Sequence, residues 1–276
     1  MMLLLFCGVM NAQQRGAIEY GKMPCGMLQG ITEREYTIYL PPGYDESGTD
    51  TYPVLYLLHG GGCSNTDWVR EGRLQDVADS LINNKLAPKM VIVCPEANKN
   101  NMIWFNAPHW KYEDYFFKEL IPYIEHTYKV YADKGHRSVA GFSMGGGASV
   151  VYGLHHPESF SMVYGMSSYL RRQPLAFLKN DPSGEWRQQI VENNNPIKFV
   201  SACQQSMINQ YNTIRWFIDC GDDDFTIDAN MDLIRAFRSR GINYQFRVKD
   251  GNHNWEYWRP ALVEAIKNAF IIANNP

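Results

Sequence analysis

Two spacings of apolar residues alternate along the chain. Glu35 to Leu40 (EYTIYL) interleaves apolar and polar positions as a half-buried strand does, and Pro41-Pro42-Gly43 stops it. Val54 to Leu58 (VLYLL) and Met90 to Cys94 (MVIVC) are instead continuous apolar runs, the pattern of strands buried on both faces of a parallel sheet. Between them, Leu74 to Asn83 sets Leu74, Val77, Ala78, Leu81 and Ile82 at helical intervals. Helical periodicity returns over Tyr115 to Tyr128. A short strand, His136 to Ala140, then enters Gly141, and a helix from Gly145 to His155 ends before Pro157. Met162 to Met166, Trp216 to Cys220 and Tyr244 to Val248 are further strands, with amphipathic helices over Ile227 to Arg238 and Arg259 to Ile272. Strands alternating with helices predict an α/β fold with a mostly parallel central sheet and helices on both faces.

Two segments depart from this rhythm. Arg171 to Tyr211 is polar, carries Pro174, Pro182 and Pro196 and contains the run Asn193-Asn194-Asn195. It reads as a small irregular, lid-like insertion over one end of the sheet. At the other extreme, MMLLLFCGVM followed by Asn-Ala-Gln-Gln resembles the apolar core and cleavage site of a signal peptide, with a short core and no basic start. Residues 1–12 are therefore read as a signal peptide, and 13–276 as one domain bound for the periplasm or the exterior.

Composition narrows the function classes. The 276 residues are 45% hydrophobic and 20% charged, as for an ordinary globular chain with a large core. A net charge of -3 gives no electrostatic reason to bind nucleic acid, and no apolar run reaches the length of a membrane span. Besides Cys7, the cysteines are Cys25, Cys63, Cys94, Cys203 and Cys220. Their scattered spacing is neither a disulfide framework nor a metal knuckle.

Gly141-Phe142-Ser143-Met144-Gly145 changes the picture. A G-x-S-x-G between a strand and a Gly-rich helix start exposes its serine on a tight turn, where flanking glycines let strand and helix approach. Such a serine needs a base within hydrogen-bond reach. Of the seven histidines, His253 follows the last strand in the loop Asp250-Gly251-Asn252-His253, where loops of open α/β sheets carry chemistry. The orienting acid should lie between them, and Gly221-Asp222-Asp223-Asp224 after the strand at 216–220 offers three candidates; Asp219, inside the strand, is the least suited. The backbone N–H of Met144, the residue after the nucleophile, is one oxyanion donor. His59-Gly60-Gly61-Gly62 after VLYLL resembles the glycine loop that supplies the other.

Taken together, YTIYLPPGYD, YPVLYLLHGGG with Asp67-Trp68, VAGFSMGGGAS, the Gly221–Asp224 loop and Asp250 to Trp258 resemble the feruloyl and acetylxylan esterases of carbohydrate esterase family 1. These are α/β-hydrolases related to esterase D. The resemblance implies Ser143 as nucleophile, His253 as base, Asp224 as acid with Asp222 in reserve, and Gly61 and Met144 as the oxyanion hole. It implies ester hydrolysis through an acyl-enzyme without a metal or organic cofactor, on an ester-bearing small molecule or polysaccharide. Aromatics near these loops, Trp68, Trp110 and Trp255, are candidate substrate contacts. Competing readings are a cytosolic S-formylglutathione hydrolase-like thioesterase, a siderophore esterase and a catalytically silent carbohydrate-binding protein.

Overall fold

A computed structural model of the chain describes residues 14–97, 104–108, 110–170 and 184–271. The expected signal peptide over 1–12, His109 and residues 171–183 of the expected insertion lie outside them. Strands β1 (Ala17–Pro24), β2 (Glu33–Leu40) and β3 (Val54–Leu58) come first, then α1 (Asp67–Arg70), α2 (Leu74–Asn83) and β4 (Val91–Pro95). A small pair, β5 (Asn106–Ala107) and β6 (Trp110–Lys111), leads into α3 (Tyr112–Tyr115), a π-helical turn over Phe116–Leu120 and α4 (Ile121–Thr127). The central unit is β7 (Arg137–Phe142), α5 (Met144–His155) and β8 (Met162–Met166). Helices α6 (Gly184–Asn193), α7 (Pro196–Ala202) and α8 (Gln205–Tyr211) follow. The chain then closes with β9 (Arg215–Gly221), α9 (Ile227–Arg240), β10 (Gln245–Lys249) and α10 (Trp255–Ala269).

The main sheet runs β1-β2-β4-β3-β7-β8-β9-β10, antiparallel at β1–β2 and β2–β4 and parallel beyond. Because side chains alternate across a strand, Val54, Tyr56 and Leu58 of β3 face a core built with α3, α5 and α9. Leu55 and Leu57 face a second core built with α2 and α10. Every residue of β3, β4, β7 and β8 is buried, which is why β3 and β4 read as continuous apolar runs. The order of strands reverses at β3, which pairs with β4 on one side and β7 on the other. Loops leaving β3 and β7 therefore diverge around a crevice, the usual ligand position in such sheets.

Four expectations need correcting. β1 carries few buried residues, so its sequence gave no strand signal, yet it pairs along its length with β2. The helical stretch expected over Tyr115 to Tyr128 runs without a break from Tyr112 to Thr127, π-helical over Phe116–Leu120, and stops one residue early because Tyr128 is already extended. The last helix starts at Trp255 rather than Arg259, with the Asn254 side chain accepting from the Tyr257 N–H, and accommodates Pro260 inside it. The described part of the insertion is helical, not irregular. Asn195, at the end of the Asn run, caps α7 by accepting from Ile197 and Lys198 N–H, and Pro196 occupies its first turn. Residues read as breakers are helix-start signals.

Near the end of α5, His155 and His156 both bind the Glu113 carboxylate of α3, at 2.8 and 3.0 Å. Burial works to raise the Glu113 carboxyl, but these two hydrogen bonds outweigh it and hold the group down at about 2. The described cysteines are free thiols, with Cys94 and Cys220 buried. No helix among the described residues is long and apolar enough to cross a membrane.

Candidate active site

Ser143 sits where β7 turns into α5, at φ 54° and ψ −119°, a conformation that L-residues rarely hold. Three backbone bonds keep it there. Its N–H donates to Met166 O (2.9 Å), and its carbonyl accepts from the N–H groups of Gly147 (3.0 Å) and Tyr169 (2.8 Å). The glycines on either side are required by proximity. A Cβ on Gly141 would lie 2.5 Å from Gly145 O, and one on Gly145 would lie 2.4 Å from His59 O. Strand, elbow helix and the glycine loop after β3 thus meet in one close-packed joint.

His253 Nε2 lies 2.9 Å from Ser143 Oγ, so the hydroxyl can donate to it. His253 Nδ1 lies 3.0 and 2.9 Å from the two carboxylate oxygens of Asp224. Asp224 is only 1% exposed and also accepts from the Thr226 N–H (2.8 Å) and hydroxyl (2.7 Å). Burial alone would raise its carboxyl. Hydrogen bonds from His253, the Thr226 N–H and the Ser167 and Thr226 hydroxyls outweigh burial and hold it at about 2. An ionised acid on Nδ1 keeps Nε2 free to take the serine proton.

Of the three aspartates left open by position, the structure brings Asp224 to the imidazole. Asp222, the reserve, accepts from the N–H groups of Asp223 and Gly251, both at 3.1 Å, and so braces the acid loop against the histidine loop. Asp223 donates its N–H to Gly251 O at 3.1 Å in the same brace. Asp222, Asp223 and Asp250 also bring exposed carboxylate oxygens within 4.8 Å of one another, the nearest approach to a metal-ligand group among the described residues. Beneath them, Asp219 is fully buried and accepts from the hydroxyls of Tyr164 (2.7 Å) and Tyr257, tying β8, β9 and the start of α10 together. The Tyr257 ring in turn packs on Gly251, where a Cβ would meet it at 2.5 Å.

Gly61 faces Met144 across the crevice: a Cβ on Gly61 would meet the Met144 sulfur at 2.5 Å. Met144 is the first residue of α5, whose leading N–H groups lack helical acceptors and carry the positive end of the dipole. His59, 1% exposed, holds the glycine loop. Its Nε2 accepts from the Ala97 N–H (3.1 Å), so Nδ1 carries the proton and donates to Gly60 O (2.8 Å). Fixing that carbonyl fixes the plane of the Gly60–Gly61 peptide and with it the direction of the Gly61 N–H. Burial pushes the His59 imidazole below its ordinary pKa, which keeps this tautomer neutral.

A small cleft of ≈ 30 Å³ opens at Met144 and Gly147. Trp104, Phe105, Val151, Tyr169 and Leu170 line it, together with Ile190, Asn194 and Pro196 of the insertion. Of the three tryptophans expected at substrate, two are core. Trp68 is 0% exposed, donates to Leu58 O (3.1 Å) and packs edge-on against Phe142 behind the elbow. Trp110 is 3% exposed and lies beside the Arg34 guanidinium. Trp255 is half-buried against Trp68, Phe142 and Trp258, away from the cleft. The aromatics that line the cleft are instead Trp104, Phe105 and Tyr169. Tyr169 was missed, although it follows a parallel strand, β8, as the chosen histidine follows β10.

The "Putative esterase" family matches residues 31–269 of the chain. The endo-1,4-beta-xylanase/feruloyl esterase of Xylanibacter ruminicola is 25% identical over 240 residues, covering 84% of this chain but only 29% of that protein. The acetyl esterase of Caldicellulosiruptor saccharolyticus is 20% identical over 229 residues, covering 79% of this chain and 84% of that one. Among solved structures, a ferulic acid esterase superposes with a TM-score of 0.84 at 36% identity, covering 92% of this chain and 97% of the other.

Proposed function

The chain belongs to the esterase family and has the α/β-hydrolase fold, and from that premise we propose that Ser143, His253 and Asp224 hydrolyse feruloyl or related aromatic esters of plant-wall polysaccharide. The observation that carries the reading is the continuous hydrogen-bonded line from Ser143 Oγ through His253 to the Asp224 carboxylate, at 2.9 Å on each side of the ring. Ser143 attacks the acyl carbonyl while His253 takes its proton. The tetrahedral oxyanion is received by the N–H groups of Gly61 and Met144. His253 then protonates the departing alcohol, leaving the acyl group on Ser143. Water, deprotonated by His253, attacks that ester and restores the serine.

The cleft supports the acyl assignment. It begins at Met144 and is lined mainly by Trp104, Phe105, Val151, Leu170 and Ile190, an aromatic and apolar surface. A flat phenylpropenoyl acid suits such an aromatic, apolar slot. The names of the relatives, feruloyl esterase and ferulic acid esterase, point the same way. Wall esters are extracellular, so the reading carries with it export of a single domain over 13–276.

The test is a substrate profile with Ser143→Ala as control. Methyl ferulate is expected to exceed acetylated xylan and S-formylglutathione in kcat/KM, and Ser143→Ala to abolish all turnover. A preference for S-formylglutathione would overturn the acyl assignment, and an active Ser143→Ala would overturn the nucleophile.

A further inference from the structure

Beside the imidazole stands an aromatic side chain that the acyl cleft does not use. Phe225 is 68% exposed, yet its ring centroid lies 4.5 Å from that of His253. Tyr169 is its other aromatic neighbour, at 6.2 Å. The ring is presented by a fixed turn. On one side Asp224 donates its N–H to Gly221 O and accepts from the Ile227 N–H. On the other, the Thr226 N–H and hydroxyl bind the Asp224 carboxylate. The bonds that place the acid therefore also place an apolar ring in open solvent.

The direction of proton transfer says what this ring meets. In the acylation step His253 Nε2 gives its proton to the leaving oxygen, so that oxygen must come within about 3 Å of Nε2. The carbon skeleton borne by the oxygen must then lie near the imidazole, beside which Phe225 is an exposed apolar ring. Phe225 is not among the residues that line the acyl cleft. We propose that Phe225 is the platform of a leaving-group subsite that receives the sugar ring carrying the ester, the C–H face of the sugar resting on the phenyl face.

The neighbouring charges select among alcohols. Asp222 and Asp223, in the same loop, are exposed and lie with Asp250 in one anionic group. A neutral carbohydrate tolerates that surface, whereas an anionic leaving group such as glutathione is repelled by it. The inference rests on the esterase reading of Ser143 and His253 and adds the alcohol side to it.

Two substrates with one acyl group isolate the subsite: methyl ferulate and a feruloyl ester of a pentose sugar. Both form the same acyl-enzyme, so deacylation is common to them and the ratio of their kcat/KM values reports the leaving group alone. Phe225→Ala is expected to lower the ratio of sugar ester to methyl ester by about fivefold to tenfold, as for loss of one aromatic contact. Phe225→Trp is expected to keep it. An equal fall on both substrates would mean that Phe225 only steadies His253, and an unchanged ratio in Phe225→Ala overturns the platform in either case. Should the wild-type protein turn over neither ester, the esterase reading itself fails and takes the subsite with it.

Discussion

Gly145→Ala probes the joint between elbow and glycine loop. A Cβ at this position would stand 2.4 Å from His59 O and 2.7 Å from the carbonyl carbon and oxygen of Leu58. All three are backbone atoms at the end of a buried strand, so no side chain can swing aside. Ordinary contact starts near 3.4 Å, so α5 and β3 must separate by about 1 Å. That joint sets the separation of Gly61 and Met144, the two residues proposed to receive the oxyanion. A misplacement of ~1 Å costs on the order of 100-fold in rate, comparable to losing one oxyanion donor. Overpacking adds about 1–3 kcal/mol of destabilisation, or roughly 2–4 °C of Tm per kcal/mol at this size. The expected result with p-nitrophenyl acetate is a kcat about 100-fold lower and a KM changed less than about threefold, from protein that still unfolds in one transition. Gly61→Ala is the comparison, because its Cβ would meet the flexible Met144 side chain, its sulfur at 2.5 Å and its Cγ at 3.4 Å, and should be milder. A folded Gly145→Ala enzyme with kcat within about threefold of wild type would refute the reasoning.

Asp224→Asn should leave the fold intact and lower kcat by about 10⁴, as when a triad acid loses control of its imidazole. Asp222→Asn, which touches only the Asp223 and Gly251 N–H groups, should cost less than about tenfold; the reverse order would reassign the acid. Asp224 and Glu113 are both held at about 2, below their unfolded values near 4, so each stabilises the fold fully above about pH 4. That stability disappears as pH falls towards 2. Urea midpoints of wild type and Glu113→Gln should therefore differ at pH 6 and draw steadily together below about pH 4, and a constant gap would contradict the linkage. Trp68→Ala should destabilise by about 3–5 kcal/mol in urea, as for any fully buried tryptophan. The milder Trp68→Phe should leave KM for methyl ferulate unchanged, and a raised KM would return Trp68 to the substrate.

The site was legible where chemistry and strand order agree. Ser143 follows the buried strand β7 and His253 the solvent-facing edge strand β10, both in the parallel part of the sheet, where the loops leaving the strands carry the chemistry. Asp224 was legible only as one of three. Choosing it requires knowing that Thr226 turns back onto that carboxylate while Asp222 is spent on Gly251, contacts that no local pattern encodes. Trp68 misled because aromatic composition carries no information on which way a ring points, and here it points under Phe142. β1 was invisible for the opposite reason, since an edge strand with both faces largely wet has no hydrophobic signature. The helices at 184–211 were masked by Asn and Pro, residues that end helices in some positions and begin them in others.

Three residues of the cleft lining, Ile190, Asn194 and Pro196, belong to the segment between β8 and β9, whereas the serine, imidazole and carboxylate stand on turns leaving β7, β10 and β9. That part of the lining is separate in the chain from the proton relay, while Met144 at the start of the elbow helix borders both. Exchanging residues 184–211 between related scaffolds is therefore expected to alter acyl preference while the proton relay keeps its alignment.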